Sequence, residues 1–350
     1  MSPNPKDEDK ESVEEPVDVN PTTLEPAAPE EEEECLFTKA EMLYSQDKLS
    51  EMKQVLNSIE PDLLESKHQQ WIDRANEADT LSKDLLSQAE DRGNWIDNGI
   101  SKGKFPTRIL YRLEEGETKT ELRARCETPI KKELLESFLS VLNETELYET
   151  WLPSFRVPRF QVAECRKLKQ VSRVSQILLV RLDLPWPMSS RELVLSAAAF
   201  DEIDTEGHIG IKLKTIDTGD DECVPEVTPD ATRVDIDGGF LFTTCPKDHP
   251  TLPFLDKNGD EDDEMVLVTF SACLDPKMKM IPQSFLNFMV KVALGQCWKI
   301  LLQIAQDVND GKRPDHANAI ERKKEELYDY INSRVTQMLN AILGATQVVV

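Results

Sequence analysis

From Gln176 to Phe200 the chain reads QILLVRLDLPWPMSSRELVLSAAAF, two apolar runs around a proline-bearing break. Leu178, Val180 and Leu182 take every second position of the first run; Leu193, Leu195, Ala197 and Ala199 do so in the second. A period of two predicts two β-strands, each with one apolar face. Pro185 and Pro187 exclude a helix or a tight two-residue turn between them. The break therefore predicts a stiff surface loop. It carries Trp186 and Met188, which have no core of their own to enter. Apolar tips on a stiff loop predict the rim or lid of a cavity.

Alternation recurs at 107–113 and 117–126, and further strand-like segments lie near 160–169, 208–217, 232–243 and 265–274. Other stretches follow a helical period. Thr38, with Glu41 three residues later, reads as a capping box ahead of Leu43, Leu49, Met52, Leu56 and Ile59. Pro61 suits the first turn of a second helix carrying Leu64, Trp71, Ile72, Ala75 and Leu85, closed by Gly93. Pro129 is expected to open a helix with Leu134, Leu135, Phe138, Leu139 and Leu142 on one face, and a short helix follows at 147–151. A long helix is predicted from Pro282 to about Val308, crowded at its start by Met278, Met280, Ile281, Phe285, Phe288 and Met289. A last helical stretch, 317–343, repeats Leu327, Tyr330, Ile331, Val335 and Met338. It could dock on the strands, on the N-terminal helices or on a partner, and spacing does not choose. Short connections between most strands predict a mixed α+β fold with a mostly antiparallel sheet.

Composition narrows the function. A net charge of −25 argues against nucleic acid as a partner, because phosphates require Lys and Arg to neutralise them. It also opposes adsorption to anionic membranes except through a local basic patch, for which Lys277 and Lys279 among the methionines are the candidate. Seven scattered cysteines with no C-x-x-C pair read as reduced thiols of a cytoplasmic protein and offer no zinc site. No run of apolar residues is long enough to span a membrane. Residues 1–34 hold six prolines and thirteen acids, so 1–35 is read as a disordered acidic tail. The remaining divisions are 36–78, a helical hairpin; 79–312, the mixed domain; and 313–350, an amphipathic helix.

Motifs of catalysis are weak. The acidic run at 256–264 fails as a calcium loop, since its sixth residue is Glu261 and its twelfth is Leu267. The four histidines lie in no metal or base motif, and no phosphate-cradling or nucleophile-elbow glycine pattern occurs. Asp235 and Asp237 share one face of a predicted strand, where a solvated strand end before Gly238 and Gly239 accounts for them. No catalytic residue, metal or cofactor is therefore assigned.

Three blocks give a family resemblance: ELYETWLP at 146–153, PWPMSSRELV at 185–194 and DPKMKMIPQSFLN at 275–287. In that order, and over about 80–310, the chain resembles START domains, the steroidogenic-acute-regulatory-related lipid-transfer family. The resemblance implies a helix-grip fold: a curved antiparallel sheet around a long C-terminal helix, here with extra N- and C-terminal helices. It further implies a tunnel holding one lipid, with a mouth at loops 184–190 and 275–281. The expected lipid-binding residues are Leu178, Val180, Leu182, Leu193, Leu195, Ala197 and Ala199, with Phe285, Phe288 and Met289 from the helix. The expected gate is Trp186, Met188, Met280 and Ile281. Alanines at 197–199 leave volume that a packed core would fill. The positions where relatives cage a choline cation are the aliphatic Val180 and Leu193, and the arginine of sterol-binding relatives is replaced by Ala197. Sterol, phospholipid and sphingolipid all stay open. The expected activity is non-enzymatic lipid transfer or sensing with transient membrane contact, leaving the terminal helices for a protein partner. The alternatives are a helical adaptor with a passive sheet domain, and an enzyme of the same fold acting on a hydrophobic substrate. The enzyme would need a polar dyad in the cavity, which the assigned face lacks.

Overall fold

The period-two runs pair into one sheet in a computed structural model that describes residues 29–116, 120–156, 159–186, 188–255, 265–278 and 282–347. Helices α1 (Pro29–Ser45), α2 (Leu49–Asn57) and α3 (Ser66–Glu90) come first. Strands β1 (Ile96–Ser101), β2 (Thr107–Glu115) and β3 (Thr120–Lys131) lead into α4 (Leu135–Asn143). Next come β4 (Ser154–Arg156), β5 (Arg159–Ser172), β6 (Ser175–Asp183), β7 (Ser190–Glu202), β8 (His208–Thr215), β9 (Ala231–Arg233), β10 (Asp235–Thr244) and β11 (Met265–Asp275). The long helix runs as α5 (Gln283–Asn287), a π-helical stretch (Phe288–Leu294) and α6 (Gly295–Asn309). After a break at Gly311 come α7 (Pro314–Arg322), a π-helical turn (Lys324–Tyr328) and α8 (Asp329–Gln347).

The strand order is β1-β2-β3-β11-β10-β8-β7-β6-β5-β4, with antiparallel neighbours throughout and the short β9 added parallel to β7. Register aligns side chains across the sheet. Ala199, Ile211, Phe240, Phe270, Cys126 and Ile109 form one cross-strand row; Ala197, Leu213, Gly238, Ala272, Ala124 and Tyr111 form the next. Both rows lie on the inner face, toward the long helix. There Trp298, Leu301, Leu302 and Ala305 of α6 share one core with Phe138 of α4 and with Phe240, Phe242, Val266 and Val268. The segment Ser284–Asn309 has the length and apolarity to cross a membrane, but it is this core helix.

The outer face is covered by α3, whose Leu85 packs on Phe200 and Leu241. Buried Lys212 reaches Asp237 at 2.6 Å on that side, and His208 meets Ser82 of α3 at 3.2 Å. Helices α1 and α2 close a small core of their own against α3 through Leu43, Met52, Leu56 and Ala75. The C-terminal stretch docks on the inner side: Val335, Met338 and Leu339 join the main core beside α4.

Several local expectations need correcting. Helix α1 starts at Pro29, within the stretch read as a disordered tail. Thr38 is consequently mid-helix, donating its hydroxyl to the Glu34 carbonyl at 2.9 Å rather than capping. The first predicted helix is broken by Asp47, whose φ of 53° is left-handed. The capping box belongs instead to Glu65 and His68 of α3. Pro129 sits within β3, opposite Leu267, and opens no helix. It lies beyond Glu127, the last partner of β2, so its missing N–H costs no bond to that neighbour. Strand β10 runs on through Gly238 and Gly239, and the part-exposed Asp237 is also tied to Lys212 and Gln88. Residues 1–28, the acidic run 256–264, Lys279, Met280 and Ile281 lie outside the described residues.

Candidate functional site

Between the sheet and the long helix lies a cavity of about 300 Å³. The floor is the inner face of β6, β7, β8, β10 and β11, through Leu178, Val180, Leu195, Ala197, Leu213 and Phe240. Small side chains at Ala197 and Ala199 on β7 leave volume in the wall that larger residues would fill. A Cβ at Gly238 would lie 2.1 Å from the Ser271 carbonyl oxygen, so a larger residue there would force the backbone to shift. Helix α6 supplies Cys297, Trp298 and Leu301; α4 and the turn after it supply Leu139, Leu142, Tyr148 and Trp151. The last wall comes from the C-terminal segment through Leu327, Tyr328 and Ile331.

The residues expected from sequence divide into groups. Leu178, Val180, Leu195, Ala197 and Ala199 line the cavity. Leu193 and Leu182 lie on the same strand faces, Leu193 opposite Val180 and Leu182 opposite Arg191, farther toward the loop and outside the cavity wall. Phe285, Phe288 and Met289 pack in a second apolar cluster at the front of the long helix, with Phe160, Leu184, Leu286 and Met188. The Phe160 and Phe288 rings meet edge-on at 5.7 Å. Cys297 touches both the cavity and this cluster. Trp186 is 90% exposed at the tip of its loop. Lys277, half of the expected basic spot, is engaged by Asp235 and by Asp275 at 3.1 Å.

Sequence reasoning assigned no role to Tyr148, Trp151, Gln176, Ile211 or Leu213. Trp151 stood in the 146–153 block and Leu213 in an alternating strand, so a signal existed for both. The wall from 327–331 had only a helical period, which does not say what that face covers.

The wall carries no carboxylate, ammonium, guanidinium or imidazole among the described residues. Its polar atoms are almost all engaged. Gln176, 6% exposed, accepts from the Thr145 hydroxyl at 3.2 Å and donates to the Asn143 carbonyl at 3.3 Å. Tyr148 donates to the Leu142 carbonyl at 2.6 Å, and Trp298 donates its indole N–H to Thr128 at 2.9 Å. Tyr328 donates to Glu144 at 2.8 Å. Burial pushes the Cys297 thiol up to about 12 and raises both tyrosine phenols, so all three stay neutral. Glu144 is itself buried behind the wall, held by Lys323 at 2.8 Å and by the Asn143 amide at 3.0 Å. The exception is the Trp151 indole nitrogen, which is buried with no acceptor in reach. No cluster of His, Cys, Asp or Glu suited to a metal ion occurs among the described residues.

No protein-family model matches the sequence, and no curated protein matches it. Among solved structures the chain is similar to human STARD10, at 14% identity over 66% of this chain and 81% of that one, with a TM-score of 0.47. It is similar to human StAR-related lipid transfer protein 5 at 12% identity, covering 67% and 97%, with a TM-score of 0.46. A STAR-related lipid transfer protein fragment from Xanthomonas axonopodis gives 20% identity, 61% and 98% coverage and a TM-score of 0.42. The chain's own strand order and gripped helix decide the architecture. The fold is a helix-grip. Helix α3 covers the outer face with α1 and α2 packed against it, and α7 and α8 follow the gripped helix.

Proposed function

We propose that this protein binds one lipid in the cavity between sheet and helix, as a cytoplasmic carrier or sensor rather than as a catalyst. The observation that carries the reading is a cavity between sheet and helix whose wall is apolar and, among the described residues, holds no ionisable dyad. Burying a ligand there yields about 0.8 kcal/mol per methylene, enough to draw a lipid from a bilayer without chemistry. At about 300 Å³ the space lies at the small end of the roughly 300–1,000 Å³ typical of ligand pockets. A larger lipid would need the second cluster to open.

That cluster is where we place the gate. Phe285, Phe288, Met289 and Met188 pack together at the front of the long helix, and Cys297 touches both this cluster and the cavity. Residues Phe288–Leu294 are π-helical, a departure common at functional sites. Exposed Trp186 would touch the membrane with an apolar tip, since Lys277 is neutralised by Asp235 and Asp275. The adaptor reading loses ground because α3 and α8 spend apolar residues on the sheet domain itself.

Ala197→Trp tests the reading. It is expected to abolish uptake of a fluorescent lipid from vesicles while the circular dichroism spectrum and cooperative melting persist. Unchanged uptake in that variant would sink the cavity assignment.

A further inference from the structure

The cavity has a chemistry as well as a size, and this inference rests on the cavity being the binding site. We propose that its ligand is an uncharged lipid carrying an oxygen acceptor, and that the indole N–H of Trp151 is the group that recognises it.

Charge is excluded first. A phosphate or a quaternary ammonium placed among the described wall residues would meet no counter-ion, and an unpaired buried charge is strongly unfavourable. Glu144, the carboxylate that holds the wall residue Tyr328, is not free for a cation. Its oxygens already take Lys323, Tyr328 and Asn143. Lys323 is likewise spent on Glu144, and both line a separate surface groove with Arg173 and Arg322.

The polar match follows by elimination. Gln176, Tyr148, Trp298 and Tyr328 already have partners in the protein. Trp151 lines the cavity, yet its buried N–H has none. A buried donor without an acceptor is costly and uncommon. An ester, ketone, ether or hydroxyl oxygen of a bound ligand would satisfy it. An indole N–H only donates, so the ligand atom must be an acceptor. Trp151 makes an edge-on contact with Tyr148 at 5.1 Å and directly follows the 3-10 turn Thr145–Thr150.

The test uses the full chain and four probes with one short alkyl body: dodecane, methyl decanoate, decanoate and decyltrimethylammonium. Ten or so carbons suit the volume, which would hold about ten waters. Binding is read by displacement of a fluorescent alkyl reporter and by the indole 15N–1H resonance of Trp151. The ester is expected to bind about fivefold more tightly than the alkane, the worth of one net hydrogen bond. Both charged probes are expected to bind weaker than the ester by a factor on the order of a hundred or more. Trp151→Phe keeps a ring against Tyr148 and should lower the ester-to-alkane affinity ratio from about five to about one, whatever the lost wall surface does to both. The Trp151 indole proton should move downfield with the ester and stay in place with the alkane. Charged probes binding as well as the ester, or Trp151→Phe weakening ester and alkane alike, would overturn the proposal while leaving the cavity reading intact. If no probe binds, dodecane included, the cavity reading fails and this inference falls with it.

Discussion

Glu144 shows what single residues do here. Its buried carboxylate joins the turn after α4 to the C-terminal segment through Lys323 and the Tyr328 hydroxyl. Glu144→Ala leaves the buried Tyr328 hydroxyl unpaired, and a loss of about 2 kcal/mol in unfolding free energy is expected. Urea titration reads it, and a midpoint within error of the parent would show that the ion pair is not structural. Gly238 makes the same point through volume. Any Cβ meets the Ser271 carbonyl oxygen at 2.1 Å and the Ala272 Cα at 2.5 Å, so the backbone of β10 or β11 must shift. Gly238→Ala should cost about 1–3 kcal/mol as an overpacking change. Such roles are not legible in sequence. Glu144 reads as one acid among many, and Gly238 reads as half of a bend, because neither pattern names the long-range partner.

Elements were legible where a local rule decides them. The period-two runs around 176–200 become β6 and β7 with the alternation intact, Leu178 opposite Leu195 and Val180 opposite Leu193. The proline rule misplaced the start of α4, because Pro129 sits where the neighbouring strand has already ended. The docking of 317–343 was illegible, since amphipathic spacing specifies a buried face and not its partner. The structure spends that face on the cavity wall and the main core. Replacing Leu327 and Ile331 together with alanine should therefore enlarge the wall, speed ligand exchange several-fold and lower stability by at least about 2 kcal/mol. Stopped-flow release of a bound fluorescent lipid measures the exchange. An unchanged release rate would mean that the C-terminal wall plays no part in retention.

At the scale of the whole molecule, the terminal segments are pinned to the grip by neutral histidines. His208 on β8 meets Ser82 of α3, and His316 on α7 meets Ser140 of α4 at 3.3 Å. Burial lowers both imidazoles below their usual 6.5. A depressed value in the folded state means that the unfolded chain binds more protons as the solution acidifies. Their contribution is therefore present above about pH 6.5 and is lost as pH falls through the lower folded values. Glu202, raised by burial, works in the opposite sense at more acidic pH. The melting temperature is expected to drop between pH 7.5 and 5.5, and a His208→Asn, His316→Asn double variant should flatten that slope. An unaltered slope would remove the histidines from the account.

The central claim is that one lipid occupies the space between sheet and helix, and native mass spectrometry of the full chain tests it most directly. After incubation with mixed-lipid vesicles, the account expects a single 1:1 adduct of lipid mass that disappears on unfolding and is missing from Ala197→Trp. A spectrum holding only the bare chain, or an adduct that Ala197→Trp retains in full, would contradict it.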